Sequence, residues 1–394
     1  MVGRHATAAL FGAVLALSVT APSAMAQAPI KIGSMHSLSG PLAIVGAPAH
    51  EGFALYFSQI GNKVAGRPIV IDTQDDAANP SQGLERVRRL VERERVNILV
   101  GITSSAVAYA VRNYVVKHEV PLILMGSAGA NGLTDEQGSP YVFRTSFSNR
   151  QINGPFGPYV CNRLGYKKIA IMATDFVTGH EQAAAFESQL TKAGCEVVKK
   201  IMVPLGTTDF APFLSQLAST DANAVWAMFF AADAIAFVKQ YESLGFKGKL
   251  PLVGSPGLID LPLISPMGKS GVGVESPVFY LPSLDNPENK AFVDAYRKAY
   301  GREPGQTAVS GYVAAQVVAA AIEAVRGDVE NKPAFLAALK AVKLKTPMGQ
   351  FEFDAKQNIV FDLYLGKVVE KGGNYEQVIT DTVMRRVNQF GLAN

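Results

Sequence analysis

The sequence is short of the residues that carry covalent and metal chemistry. Its two cysteines, Cys161 and Cys195, are widely separated and fit no zinc spacing. There are five histidines, and His36, His50, His118 and His180 show none of the spacings that metal ligands use. Charge of one sign is not in excess either: 37 Lys and Arg against 33 Asp and Glu leave a formal +4. No basic run suits nucleic acid. Beyond the N-terminal region no second long apolar segment stands out, so a polytopic membrane protein is excluded. No cofactor is expected.

The N-terminus reads MVGRHATAALFGAVLALSVTAPSAMA, with Arg4 and His5, an apolar run from about Ala8 to Val19, and Ala24-Met25-Ala26. A basic start, a short apolar stretch and an A-x-A site form a secretory signal peptide, cleaved after Ala26. No cysteine stands at the cleavage site, which argues against a lipoprotein. The expectation is an exported, soluble protein in an oxidising compartment, where a disulfide between Cys161 and Cys195 can form. Cys161 reads as lying near a helix end and Cys195 just before a strand, both at the bottom of a parallel α/β layer. A bridge and two half-buried thiols both remain open.

At 394 residues the chain is too long for one ordinary domain. Short β-rich runs alternate with amphipathic ones. The first series is IKIGSM, PIVIDT (68–73), NILVG (97–101), PLILMG (121–126) and YVFRTS (141–146). The second is KKIAIMA (167–173), EVVKKIMV (196–203), NAVWAMFF (223–230), PLVGS (251–255) and SPVFYL (276–281). Such alternation implies parallel sheets built from βαβ units, and two series imply two doubly wound lobes. The tail breaks the pattern: helices near 288–300, 309–325 and 332–341 have no strands of their own, and IVFDLYLGKVV (359–369) follows them. The late helices therefore cover the first sheet and the last strands return to the second lobe, with crossings near 147, 281 and 350. The expected division is 1–26 signal peptide, 27–147 plus 282–349 lobe 1, and 148–281 plus 350–394 lobe 2.

Catalytic signatures fall short. GHEQA (179–183) starts like a zinc-protease helix, but position 184 is alanine where the second histidine is required. GSAGANG (126–132) matches neither the dinucleotide nor the P-loop pattern, and no G-x-S-x-G elbow is present. VGITSSAVAYAV (100–111) is more informative, because Thr103, Ser104 and Ser105 stand where a strand hands over to a helix. Ligands collect at the carboxyl ends of parallel strands, and a helix N-terminus there offers free N–H groups and partial positive charge to a carboxylate. No His or Asp is placed by sequence to activate these hydroxyls, so holding is favoured over attack and the chain is expected not to be an enzyme. The loop LMGSAGANGLT (124–134) repeats the suggestion, with Ser127 and Ala128 offering backbone groups. His36, after the first strand, is a candidate to face the cleft.

IKIGSMHSLSGPLAIVG, IDTQDDAANPSQG, VGITSS, LMGSAGA and SGYVAAQ occur in this order along the mature chain. Together they resemble the leucine/isoleucine/valine-type periplasmic solute-binding proteins of ABC importers. The resemblance implies a type I periplasmic binding protein fold, two α/β lobes joined by three crossings that close on a small molecule. It implies a periplasmic monomer that delivers a small-molecule carboxylate to an ABC permease and ATPase complex. It also implies a carboxylate held by Ser105, with Ser104 beside it, and by Ser127–Ala128. The family's ammonium contacts fall here on Gly129, Pro256, Val45 and Phe230, and none of these can pair a buried ammonium. Val45, Phe230, Phe176 and Tyr280 would make the cleft wide and apolar. TDFVTGHEQAAAF resembles the equivalent loop of aromatic-acid-binding members. The expected ligand is an aromatic acid of the benzoate or hydroxycinnamate type. A branched-chain amino-acid binder, a ligand-sensing module and an exported serine hydrolase are the alternatives.

Overall fold

The computed structural model describes residues 1–3, 28–135 and 138–394. The expected signal peptide, apart from its first three residues, lies outside the described residues.

Two sheets organise the chain. The first comprises β1 (Ile30–His36), β2 (Lys63–Val64), β3 (Arg67–Asp75), β4 (Ile98–Gly101), β5 (Leu122–Leu124) and β6 (Val142–Arg144), in the order β2-β3-β1-β4-β5-β6. All its pairings are parallel except β2 with β3. Helices α1 (Ala43–Gln59), α2 (Pro80–Glu92) and α3 (Ser105–Lys117) are the crossovers. The central strands are buried almost throughout, as strands covered on both faces must be, so they read as continuous apolar runs. Local chemistry sets the helix starts: Asn79 caps α2 by accepting from the N–H groups of Ser81 and Gln82, and Pro80 stands at the first helical position.

Passing through the short helices α4 (Asn149–Asn153) and α5 (Phe156–Asn162), the chain enters the second sheet. This sheet takes β7 (Lys168–Thr174), β8 (Glu196–Val203), β9 (Ala224–Met228), β10 (Leu252–Gly254) and β11 (Glu275–Val278). They are linked through α6 (Val177–Lys192), α7 (Ala211–Leu214), α8 (Ala231–Ser243) and α9 (Leu261–Met267). The chain then leaves for α10 (Pro287–Tyr300), α11 (Gln306–Ala324), α12 (Lys332–Ala341) and the hairpin β12 (Leu344–Thr346) with β13 (Gly349–Phe351). It returns as β14 (Phe361–Lys371) and β15 (Asn374–Val387), giving the order β15-β14-β11-β10-β9-β7-β8. β14 and β15 are antiparallel, so the second sheet is a parallel sheet with an antiparallel margin. The fold is a mixed parallel α/β architecture of two lobes, as the resemblance implies.

The late helices pack on the first lobe: α10 and α11 lie against α1, and α12 against α11. One apolar core runs from Ile30 and Ile32 through Phe53 to Val313 and Val317. α11 is long and apolar enough to span a membrane by composition, but its residues are mostly buried in this core. A helix covered on all sides has no polar face to show. In the second lobe a disulfide joins Cys161, at the end of α5, to Cys195, just before β8, with Cα atoms 5.9 Å apart.

Candidate functional site

A cavity lies between the lobes, at the carboxyl ends of the strands of both sheets, where ligands collect in open α/β folds. It offers about 110 Å³ to the centres of water molecules. From the first lobe it is lined by Leu42 and Val45 at the start of α1, by Thr103, Ser104 and Ser105 between β4 and α3, and by Ser127 after β5. The second lobe supplies Phe176, Thr178 and Gln182 after β7, Met228 and Phe230 after β9, and Ser255, Pro256, Gly257 and Asp260 after β10. Phe147, Ile152 and Phe279 come from the crossings, and Gln306 and Thr307 open α11.

The geometry at α3 is built for donating hydrogen bonds. β4 ends in Gly101 at φ +120°, and Ile102 follows at φ +66°, a left-handed conformation rare for a β-branched residue. This turn throws Thr103–Ser105 across the strand end. Ser104 holds the N-cap position with extended backbone, yet its side chain makes no cap bond. The first helical bond runs from Ala108 N–H to the Ser104 carbonyl, which leaves the N–H groups of residues 105–107 without helical partners. Ser105 Oγ accepts the Ala130 N–H at 3.1 Å, so its own proton is free to be donated. No histidine or carboxylate bonds Ser104 or Ser105 among the described residues.

The opposite wall is aromatic. Phe176 and Phe230 occupy the N-cap positions of α6 and α8, where Ser, Thr, Asp or Asn would normally satisfy the helix start. Phe147 and Phe279 face each other with ring centroids 5.6 Å apart. Among the described residues lining the cavity, Asp260 is the one ionisable side chain. It caps α9 through the Leu261 N–H at 3.0 Å and has the Gln306 amide as a neighbour at the cavity. Burial pushes its carboxyl pKa up, against the opposing effect of those two donors.

Of the residues singled out from sequence, Val45, Ser104, Ser105, Ser127, Phe176, Phe230 and Pro256 meet at this cavity. Three do not. His36 is wholly buried; its Nε2 lies 3.0 Å from Ser34 Oγ and its ring packs against His50. Burial first, and the neighbouring His50 second, lower its pKa to about 3. It is the last residue of β1 and is buried within the layer. Tyr280 is buried in the first lobe's core, with its hydroxyl donating to Asn289 Oδ1 at 2.8 Å. Successive side chains of an extended segment point opposite ways, so Phe279 takes the cavity position expected of Tyr280. Ala128 is buried in the core around α3, leaving its neighbour Ser127 at the cavity. Gly129 is walled off too, since a Cβ there would meet Asn149 Oδ1 at 2.5 Å.

Sequence inspection missed Asp260, Gln306, Thr307 and Phe279, whose approach to the cavity depends on the crossings. It also missed Glu181. In GHEQA this residue reads as a plain first-turn position, yet its carboxylate spans the cleft. It accepts the Asn131 N–H of the first lobe and Asn149 Nδ2 at the crossing, both at 2.9 Å.

Known proteins resemble this chain along most of its length. Residues 29–374 match the family model described as periplasmic binding protein. The Leu/Ile/Val-binding protein homolog 6 of Brucella suis is 31% identical, over 91% of this chain and 92% of its own. An ABC transporter substrate-binding protein from Sphaerobacter thermophilus superposes with a TM-score of 0.88 at 36% identity, covering 92% of this chain and 100% of that one. A solute-binding protein of an ABC transporter from Rhodopseudomonas palustris, solved in complex with benzoate, superposes with a TM-score of 0.85 at 31% identity. The match covers 91% of this chain and 98% of that one.

Proposed function

The chain belongs to the periplasmic binding protein family, as a solute-binding component of ABC import, and from that premise we propose that it captures an aromatic acid of the benzoate or hydroxycinnamate type. Membership implies a periplasmic location and work with a membrane permease and ATPase. The proposal includes cleavage after Ala26, a monomer, and lobes formed by 27–147 with 282–349 and by 148–281 with 350–394.

One observation carries the ligand assignment: the cavity pairs a cluster of hydroxyl and N–H donors at α3 with a wall of phenylalanines, and among the described residues no basic side chain lines it. A carboxylate can be held by neutral donors at a helix N-terminus, because the charge is shared among several hydrogen bonds and the helix dipole. The ring then packs against Phe176 and Phe230. An α-ammonium finds Pro256 where the resemblance puts its carboxylate partner, and burying it unpaired would cost several kcal/mol. The relative from Rhodopseudomonas palustris was solved with benzoate, which supports the same class.

Asp260 favours a second reading. An ionised carboxylate at the cavity would partner an ammonium and restore amino-acid binding. Titration calorimetry with 4-hydroxycinnamate and with leucine separates the two. Tight binding of the aromatic acid and a flat leucine trace are expected. The reverse result removes the aromatic-acid assignment and leaves the family membership standing.

A further inference from the structure

The cavity has a second polar pole, which neither the carboxylate nor the ring of an aromatic acid would use. It is formed by the turn after β10 and lies on the second lobe, whereas the donors at α3 belong to the first. Ser255 is fully buried at the cavity wall, and its Oγ has no hydrogen-bond partner. Buried hydroxyls are seldom left unpaired, because the lost hydration is not recovered. Asp260 lies five residues on, at the same wall. The Leu261 N–H serves part of its carboxyl, and a carboxyl group offers about four acceptor sites, so capacity remains. Gln306 is itself held in place, since its Oε1 accepts the Phe279 N–H at 3.3 Å. The pole is therefore held in place, and its free capacity accepts a donor.

We propose that Asp260 and Ser255 read a hydroxyl on the ring of the bound acid, so the preferred ligand is a hydroxylated aromatic acid and its deoxy parent binds weakly. This rests on the aromatic-acid reading above. With the ligand carboxylate on Ser105 and the α3 N-terminus, the ring lies between Phe176 and Phe230 and a ring hydroxyl donates to Asp260. Ser255 completes the contact as donor or acceptor. A neutral hydroxyl suits this pole better than an ammonium, because burial already favours the uncharged form of Asp260 and no cationic side chain among the described residues lines the cavity. A site built to bond a hydroxyl discriminates against the ligand lacking it, since its own polar groups are then left unpaired.

Titration calorimetry with benzoate, 3-hydroxybenzoate, 4-hydroxybenzoate and leucine tests this on the mature protein and on two variants. Ser255→Ala removes the unpaired hydroxyl. Asp260→Ser keeps an oxygen to cap α9 while withdrawing the carboxyl from the cavity. The unaltered protein is expected to bind at least one hydroxybenzoate roughly tenfold or more tighter than benzoate. Each variant, its fold checked by thermal unfolding, is expected to lose most of that preference. Benzoate binding as tightly as both hydroxybenzoates overturns the proposal and leaves the aromatic-acid reading intact, as does a preference that survives in both variants. Tight leucine binding that Asp260→Ser abolishes overturns it in favour of an ammonium. Silence of all three aromatic acids overturns both readings.

Discussion

Ser105 shows how one hydrogen bond decides what a side chain can do. Its oxygen is already engaged as an acceptor from Ala130 N–H, so its proton is the part left for a ligand. Ser105→Ala is expected to weaken ligand binding by about tenfold to a hundredfold, the loss of a roughly 1.5–3 kcal/mol bond to a charged group. Calorimetry and an unchanged unfolding temperature would show it, and unaltered affinity would take Ser105 out of the site. His36 makes the opposite point. Its folded pKa of about 3 lies below the unfolded value near 6.5, so between these limits the unfolded chain carries a proton that the native one refuses. Above pH 6.5 the residue contributes no pH dependence. As pH falls from 6.5 toward 3, it should erode stability at up to about 1.4 kcal/mol per unit. Denaturant titrations across that window should show a shallower slope for His36→Gln than for the unaltered protein, and identical slopes would refute the assignment.

Between elements, α1 and α11 approach to backbone contact. A Cβ on Gly52 would run into the Ala308 carbonyl, and one on Gly311 into the Ala49 carbonyl, so two reciprocal glycines let the backbones touch. Replacing either by alanine brings two opposed effects. Helix propensity gains about 1 kcal/mol, and the methyl drives the helices apart against a backbone atom that cannot swing away. Overpacking should win, with Gly311→Ala less stable by about 1–3 kcal/mol in chemical denaturation. A stabilised variant would mean that the helices are free to separate. The helices at the cavity obey a different logic. α6 and α8 begin with Phe176 and Phe230 at N-cap positions, forgoing capping bonds worth about 1 kcal/mol each. Local rules broken together at one wall mark a surface kept for a ligand rather than for stability.

For the molecule as a whole, the cavity exists only while the lobes face each other, since its lining comes from both. Glu181 on α6 holds that arrangement through Asn131 N–H and Asn149. Hinge closure of this kind is a population shift, and a contact made only in the closed form favours it. Small-angle scattering is expected to show a smaller radius of gyration with saturating ligand than without. Glu181→Ala should have the larger ligand-free radius and bind several-fold more weakly, although its side chain does not line the cavity. Scattering curves identical for all four conditions would count against closure.

Strand and helix alternation, the strand-to-helix hydroxyls at 103–105 and the late helices without strands are all legible in the sequence, because each depends on neighbours a few residues away. β15 was not: NYEQVITDTVMRRV mixes polar and apolar residues on both faces, as an antiparallel edge strand over a partly exposed margin can. Nor was the choice between Phe279 and Tyr280, which turns on a single alternation at a crossing. Asp260 reads locally as a helix cap before Leu261 and Pro262, and it is one. Its second role arises because β10, the crossing at Phe279 and the start of α11 converge, placing Gln306 against it from 46 residues away in sequence. Backbone hydrogen bonding and side-chain periodicity act over short range and leave their pattern in the chain. The meeting of a buried carboxyl, an unpaired hydroxyl and an apolar wall from two lobes is produced only by long-range packing.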